Sequence, residues 1–358
     1  MRGTVIAARI ARTAAGALLA VLALGLPAPQ PARGDSATVG FLIADYTTSA
    51  RWQFDRDFFI AALHQRDPGA EVVVQDAKTD QTRQQNQAVS LLTAGAKVLV
   101  DVPVDSVQAK RIVELAHASN PAVPVIAYDR LIKGAKVDAY TSFDAMEIAR
   151  QQARFIVQHV PHGTIVAIEG SPTDENALIL HRGSFEVLDP LIKSGRYKLG
   201  YDRYTPNWDA NKAQAEMTSA LDKLGDKVDA VLVANDGMAS GVIAALRAQH
   251  LEGKVLVTGQ DATVVGLQNI LLGRQSMTIY KPLRKLADAA ARVTSAFLHH
   301  KPVPATTTVD NGMTKVPAIL LGTVTVTKAN IKSTVIADKF ATKEDICNGL
   351  PPAACAGL

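Results

Sequence analysis

The side chains best suited to chemistry in this sequence belong to a few polar and aromatic types. Asp129, Asp174 and Asp261 offer charged acceptors, and Arg51, Arg130 and Lys281 offer charged donors. Asn176 and Asn235 offer both, while Trp52, Trp208 and Phe143 offer flat apolar faces. Hydroxyl groups, which both give and take hydrogen bonds, suit such a mixture. Charge-assisted bonds are short and strong, and the planar fork of arginine grips two oxygens at once. An indole face stacks on the C–H face of a ring and excludes water as it does so. A polyhydroxylated, uncharged ring meets these demands together. A phosphate would call for a glycine-rich loop at a helix start, and neither G-x-x-x-x-G-K-[ST] nor G-x-G-x-x-G occurs here. Each residue also has a structural alternative. Asp174, Asn176, Asn235 and Asp236 stand where helix N-caps are expected. Asp129 with Arg130, or Asp261 with Lys281, could be structural ion pairs. Arg51 could be a surface charge, Trp208 could cover a loop, and Phe143 could belong to the core. Their joint placement favours a pocket.

That placement depends on the elements around them. β-Branched and apolar runs mark strands at Thr38–Ile43, Glu71–Gln75, Val98–Val102, Val123–Ala127 and Ile165–Ile168. Further runs mark Lys198–Tyr204, Ala230–Ala234, Val255–Thr258 and Met277–Tyr280. Most are continuous rather than alternating, as in strands covered on both faces. Between them lie helical patterns such as Phe54–Gln65, Gln81–Ala94, Val107–Ala118, Met146–His159, Asn211–Leu224 and Ala239–Gln249. Phe54, Phe58, Ala61 and Ala62 recur at three- and four-residue spacing, so that helix buries one face. Regular strand–helix–strand alternation means an α/β fold of parallel sheets wound on both sides by helices. Ligand crevices in such sheets lie beyond the carboxyl ends of the strands, which is where the candidate residues fall.

A chain of 358 residues fits two domains of roughly 100–200 residues each. The pattern restarts near Ile165, placing a first boundary near Phe143–Asp144. The helical stretch Leu283–His299 and the segment to Met313 return to the first lobe, and a strand around Ile319–Val326 rejoins the second. The expected division is residues 38–143 with 281–313 in one lobe and 144–280 with 314–343 in the other. Several crossings between lobes make a hinge rather than one swinging linker. The Pro/Ala-rich tail, 344–358, should sit loosely on the surface.

Residues 1–32 combine a basic start, an apolar run from Ala14 to Leu26 and a Pro/Ala-rich exit, the pattern of a secretory signal. Cleavage falls near Ala28 or Ala32, and the mature chain works outside the cytoplasmic membrane as a soluble protein. Net charge is +4, and Arg2, Arg9 and Arg12 lie in the leader, so the remainder carries +1. That excludes a basic field of nucleic-acid size. No stretch beyond residue 40 reaches the ~18 consecutive apolar residues of a membrane span. The two cysteines, Cys347 and Cys355, are too few for a metal site, and an oxidising compartment permits a disulfide between them.

Nine stretches carry a family resemblance: RWQFDRD (51–57), VIAYDRLI (125–132), SFD (142–144), GSPTDENA (170–177), VDAVLVAND (228–236), GKVLVTGQDA (253–262), MTIYKP (277–282), DNGMTKVP (310–317) and NIKSTVI (330–336). With them the chain resembles the periplasmic sugar-binding proteins of bacterial ABC importers, in particular the D-xylose-binding ones, from Thr38 to about Lys343. Ala50, Glu175 and Tyr204 depart from the family pattern. The resemblance implies a type I periplasmic-binding fold, two lobes joined by three crossovers and closing on one pentose. It carries ligand contact to Arg51, Asp129, Arg130, Asp174, Asn176, Asn235, Asp261 and Lys281, with Trp52, Trp208 and Phe143 as aromatic walls. It further implies a periplasmic receptor that takes D-xylose or a related aldose such as ribose, glucose or allose and delivers it to a membrane permease; the chain is expected to be a monomer with no cofactor or metal. A chemotaxis or sensor receptor is a further partner class. Two rivals are a secreted carbohydrate-active enzyme and a sugar-responsive transcription regulator. The first would use the same carboxylates; the second needs an N-terminal helix-turn-helix where this chain has an export leader.

Overall fold

In the computed structural model, which describes residues 37–46 and 51–358, the chain builds two parallel sheets wrapped by helices. The leader, residues 1–32, lies outside the described residues. The first lobe runs β1 (Thr38–Ile43), α1 (Arg51–Arg66), β2 (Glu71–Asp76), α2 (Gln81–Thr93), β3 (Val98–Asp101), α3 (Lys110–His117), β4 (Val125–Tyr128) and β5 (Ala139–Phe143). The chain then crosses into the second lobe with α4 (Ala145–His159), β6 (Gly163–Glu169), α5 (Glu175–Lys193), β7 (Tyr197–Tyr204), α6 (Ala210–Leu224) and β8 (Ala230–Val233). That lobe continues through α7 (Asp236–Ala248), β9 (Leu256–Val257), α8 (Val264–Leu271) and β10 (Thr278–Tyr280). It returns through α9 (Leu283–Leu298), β11 (Thr307–Asp310) and β12 (Lys315–Leu321), then ends with β13 (Val324–Val326) and α10 (Lys343–Cys347).

The first sheet has the order β11-β12-β5-β4-β3-β1-β2 and the second β7-β6-β8-β9; β10 and β13 form a separate antiparallel pair. Only β11 runs against its neighbour in the two larger sheets. Strand alternation feeds both faces. Val39, Phe41 and Ile43 of β1 pack with Phe59 of α1, whereas Leu42 packs with Leu91 of α2 and Ile112 of α3. Phe41 meets Phe59 edge-on at 5.0 Å and Tyr128 at 5.4 Å. In β6, Val166 and Ile168 serve one face and Ile165 and Ala167 the other. This double coverage is why the strands read as continuous apolar runs.

Three expectations are corrected. The stretch Ile319–Val326 is two strands: β12 pairs parallel with β5 in the first sheet, and only β13 pairs with β10. Residues 314–321 therefore belong with the first lobe, and the third crossing falls between Leu321 and Val324. In β12, Val316 and Ala318 serve one core face and Ile319 the other, a pattern a strand of either sheet would show, so it does not say which sheet the stretch joins. The helix α5, not among the helical patterns named from the sequence, spans 19 residues and runs through Gly183. A Cβ at Gly183 would lie 2.8 Å from that of Ala149, so its absence lets α5 pack closely on α4. The tail is also not loose. Ile346 is fully buried with Ile331, Val335 and Cys355, and Gln268 of α8 donates to the carbonyls of Ile346 and Asn348 at 3.1 and 3.0 Å. Cys347 and Cys355 are joined by a disulfide.

Candidate functional site

The carboxyl ends of both sheets face one cavity, and every residue singled out from the sequence as a ligand contact lines it. Arg51 and Trp52 do not sit directly at a strand exit; they open α1. Asp129 and Arg130 follow β4, and Phe143 ends β5. Asp174 caps α5, with Asn176 in its first turn, while Asn235 caps α7 by accepting from the Met238 amide at 2.8 Å. Trp208 lies in a short 3-10 turn after β7, Asp261 follows β9 and Lys281 follows β10. The N-cap alternatives for Asp174 and Asn235 thus hold together with a place in the cavity wall. Ser142, Gln260, Ala145, Ile148 and Leu180 complete the lining and were missed. Gln260 and Ser142 adjoin singled-out residues, but Ile148 and Leu180 carry only the helical periodicity of a core.

Three of the wall residues hold a left-handed backbone: Asp129 at φ 60°, Trp208 at 56° and Asp261 at 98°. Such positions cost about 1–3 kcal/mol each for residues other than glycine and persist where the surroundings dictate them. The surroundings are visible here. The Asp129 carbonyl accepts from Ser142 Oγ at 2.6 Å, Asn176 Nδ2 at 2.9 Å and Tyr140 Oη at 3.1 Å. Gln152 donates to the carbonyls of Val233 and Gly259 at 3.1 and 3.0 Å, tying together the loops that carry Asn235 and Asp261. Gly170 matters for a related reason: a Cβ there would run into the Trp208 ring. Gly170→Ala should displace that ring and weaken ligand binding about tenfold, with calorimetric affinity unchanged if Trp208 is not a wall of the site.

Charge in the cavity is paired and balanced. Its lining holds three cations (Arg51, Arg130 and Lys281) and three carboxylates (Asp129, Asp174 and Asp261). Arg51 Nη1 lies 3.0 Å from Asp129 and 3.8 Å from Asp261, while its Nε binds the fully buried Asp55 at 2.9 Å. Tyr128 donates its hydroxyl to Asp55 at 2.5 Å. Arg130 Nε meets Asp174 at 2.8 Å, and Lys281 meets Asp261 at 2.7 Å. Both guanidinium groups lie near the Trp52 ring, at 4.5 and 5.4 Å. Burial alone would raise the Asp129 carboxyl, but Arg51, Lys281 and Arg130 together hold it below the usual range. Asp174 is pushed up by burial against the pull of Arg130. Among the described residues, Trp52 Nε1 and Asn176 Oδ1 are buried without a hydrogen-bond partner, while the Trp208 indole faces the Asp174 carboxylate. A donor and an acceptor are thus left over for a ligand, in a lining of equal positive and negative charge.

The lobes also bind each other at this end. Arg130–Asp174 and Asn176–Asp129 join them, as do Ser106 N to Thr173 O at 2.9 Å and Glu175 N to Ser106 Oγ at 3.0 Å. Beneath the cavity, burial pushes the Asp101 carboxyl up to about 8 despite Arg130. That lies above the ~3.9 of an unfolded aspartate, so the folded chain keeps a proton the unfolded one has released. Stability should then fall as pH rises from about 4 toward 8, by up to about 1.4 kcal/mol per unit. Asp101→Asn should flatten that slope; equal losses in urea midpoint between pH 6 and 8 for both proteins would refute the assignment.

Two wound sheets meeting at a charge-balanced polar cavity define a class, the two-lobed receptor for a small molecule. Comparison with known proteins narrows the class. The chain belongs to the periplasmic binding protein family, whose domain model matches residues 39–302. It is 40% identical over 296 residues to a D-xylose-binding periplasmic protein of Haemophilus influenzae, covering 83% of this chain and 88% of the relative. A D-xylose-binding periplasmic protein of Escherichia coli is 37% identical over 315 residues, covering 88% and 94%. A carbohydrate transporter solute-binding protein from Chloroflexus aurantiacus, solved in complex with D-glucose, superposes with a TM-score of 0.78 at 30% identity, covering 86% of this chain and 97% of that one.

Proposed function

We propose that this chain is a non-catalytic periplasmic receptor that encloses one molecule of D-xylose and presents it to an ABC permease. The observation that carries the reading is the cavity itself: equal numbers of cations and carboxylates, contributed by both lobes, between two indole rings. An anionic ligand would leave the three carboxylates opposed, whereas sugar hydroxyls satisfy donors and acceptors alike. The ligand touches both lobes only when they are closed, so its binding shifts the open–closed equilibrium toward closure. The permease reads the closed shape. Similarity to the two D-xylose-binding proteins supports the pentose among neutral aldoses.

A thermal-shift screen of the purified protein against D-xylose, ribose, arabinose, glucose, galactose and allose tests this. A ligand that binds only the folded form stabilises it, by about 2.7 kcal/mol at a hundred times its dissociation constant. D-xylose should give the largest rise in melting temperature. No rise with any aldose would overturn the receptor reading, and a larger rise with a hexose would overturn the pentose. D-xylose recovered unaltered after incubation is the expected outcome for a receptor; conversion to product would favour the enzyme.

A further inference from the structure

Outside the cavity, three chemically reactive side chains converge at the edge of the second sheet. Glu169 ends β6, Asp202 lies on the adjacent β7, and His181 lies on α5. The register pairs Ala167 with Asp202 and Glu169 with Tyr204, so both carboxylates project from the same face. His181 stacks on Phe185 and Tyr204, with ring centroids 4.3 and 5.8 Å away. One ligand atom from each of Glu169, His181 and Asp202 lies within 4.8 Å of the others. A second observation points to an occupant. Glu169 is only 2% exposed, and its Oε1 has no hydrogen-bond partner among the described residues; nor has Asp202 Oδ1. A buried carboxylate in that condition is costly unless it keeps a proton or something positive meets it. His181 Nε2 and Asp202 Oδ2 lie 3.3 Å apart, a long hydrogen bond, and that separation also fits the roughly 3.3–3.4 Å edge of a tetrahedron whose ligands stand ~2.0–2.1 Å from an ion.

We infer that Glu169, His181 and Asp202 form a binding site for one first-row divalent cation of the zinc type. An imidazole and two carboxylates suit such an ion, whereas calcium takes six to eight oxygens. The expectation of no metal rested on the scarcity of cysteine; this donor set contains none and comes from three separate elements. The site is independent of the sugar reading, although Glu169 immediately precedes Gly170, against which the Trp208 ring packs.

Chelator-treated protein titrated calorimetrically with zinc chloride tests the assignment, with circular dichroism melts confirming that each variant is folded. The wild-type chain should take up one equivalent, while calcium chloride gives no saturable heat. His181→Ala and Asp202→Asn should each weaken zinc binding at least tenfold, and His299→Ala, at a surface imidazole paired with Asp67, should leave it unchanged. Should one variant misfold, the other still decides. No zinc uptake by the wild type, undiminished affinity in a folded His181 or Asp202 variant, or calcium bound in preference to zinc would overturn the inference.

Discussion

Asp261→Ala is expected to weaken D-xylose binding at least ~30-fold, measured by isothermal titration calorimetry. Removing one member of a buried, hydrogen-bonded charge pair costs about 2–5 kcal/mol, and each 1.4 kcal/mol is about tenfold in affinity. The Asp261 carboxylate lies 2.7 Å from Lys281 and 3.8 Å from Arg51, and Lys281 is itself almost wholly buried. The variant therefore loses an acceptor in the cleft and strands an ammonium group beside the ligand. Asp261→Asn keeps the shape and the tolerance for a left-handed backbone, so its loss should be smaller. A urea midpoint near the wild-type value for Asp261→Asn separates lost recognition from lost folding. Wild-type affinity in Asp261→Ala would remove this residue from the site.

Arg51→Ala should be the most destabilising single change in the cleft, by about 3–5 kcal/mol in urea unfolding of the ligand-free protein. Arg51 neutralises Asp55 and Asp129 at 2.9 and 3.0 Å with almost no solvent access. Burial already raises the Asp55 carboxyl, opposed chiefly by Arg51. Without the guanidinium, the Asp55 carboxyl moves further upward, above its unfolded range near 4. The folded variant then holds a proton that the unfolded chain releases, so its deficit should be greater at pH 8 than at pH 5. Arg51→Lys keeps the charge but not the planar fork and should fall between the two. A variant within about 1 kcal/mol of wild type at pH 8 would show that this cluster does not depend on Arg51.

The site was legible in the sequence to the extent that chain direction places it. In a parallel sheet every strand delivers its exit loop to the same edge, so Asp129, Asn235 and Asp261 could be collected from the residues just past each apolar run; Lys281 also follows an apolar run, but that run is β10 of the antiparallel pair. Arg51 and Trp52 were collected as the exit of the first strand, yet they stand eight residues or more past β1, at the start of a helix. Ile148 and Leu180 carried no polar signal and were legible only as core. β5, AYTSF, is too polar in sequence to resemble a buried strand, although all five of its residues are buried. The β-hydroxyl pair within it is the reason: Ser142 is spent on the Asp129 carbonyl rather than on water.

Local chemistry thus decided the α/β class, most of the strands and helices, and the kinds of side chain gathered at the sheet ends. Those are set by neighbours within a few residues, through periodicity and backbone preference. Which charge meets which was a tertiary matter. Asp129 is followed by Arg130 in the chain, yet it pairs with Arg51, and Arg130 reaches across the cleft to Asp174. The sheet that β12 joins, the close packing of α5 on α4, and the meeting of Glu169 with His181 and Asp202 depend likewise on register and docking. These contacts join residues far apart along the chain, and their energies arise only once the lobes have excluded water around them.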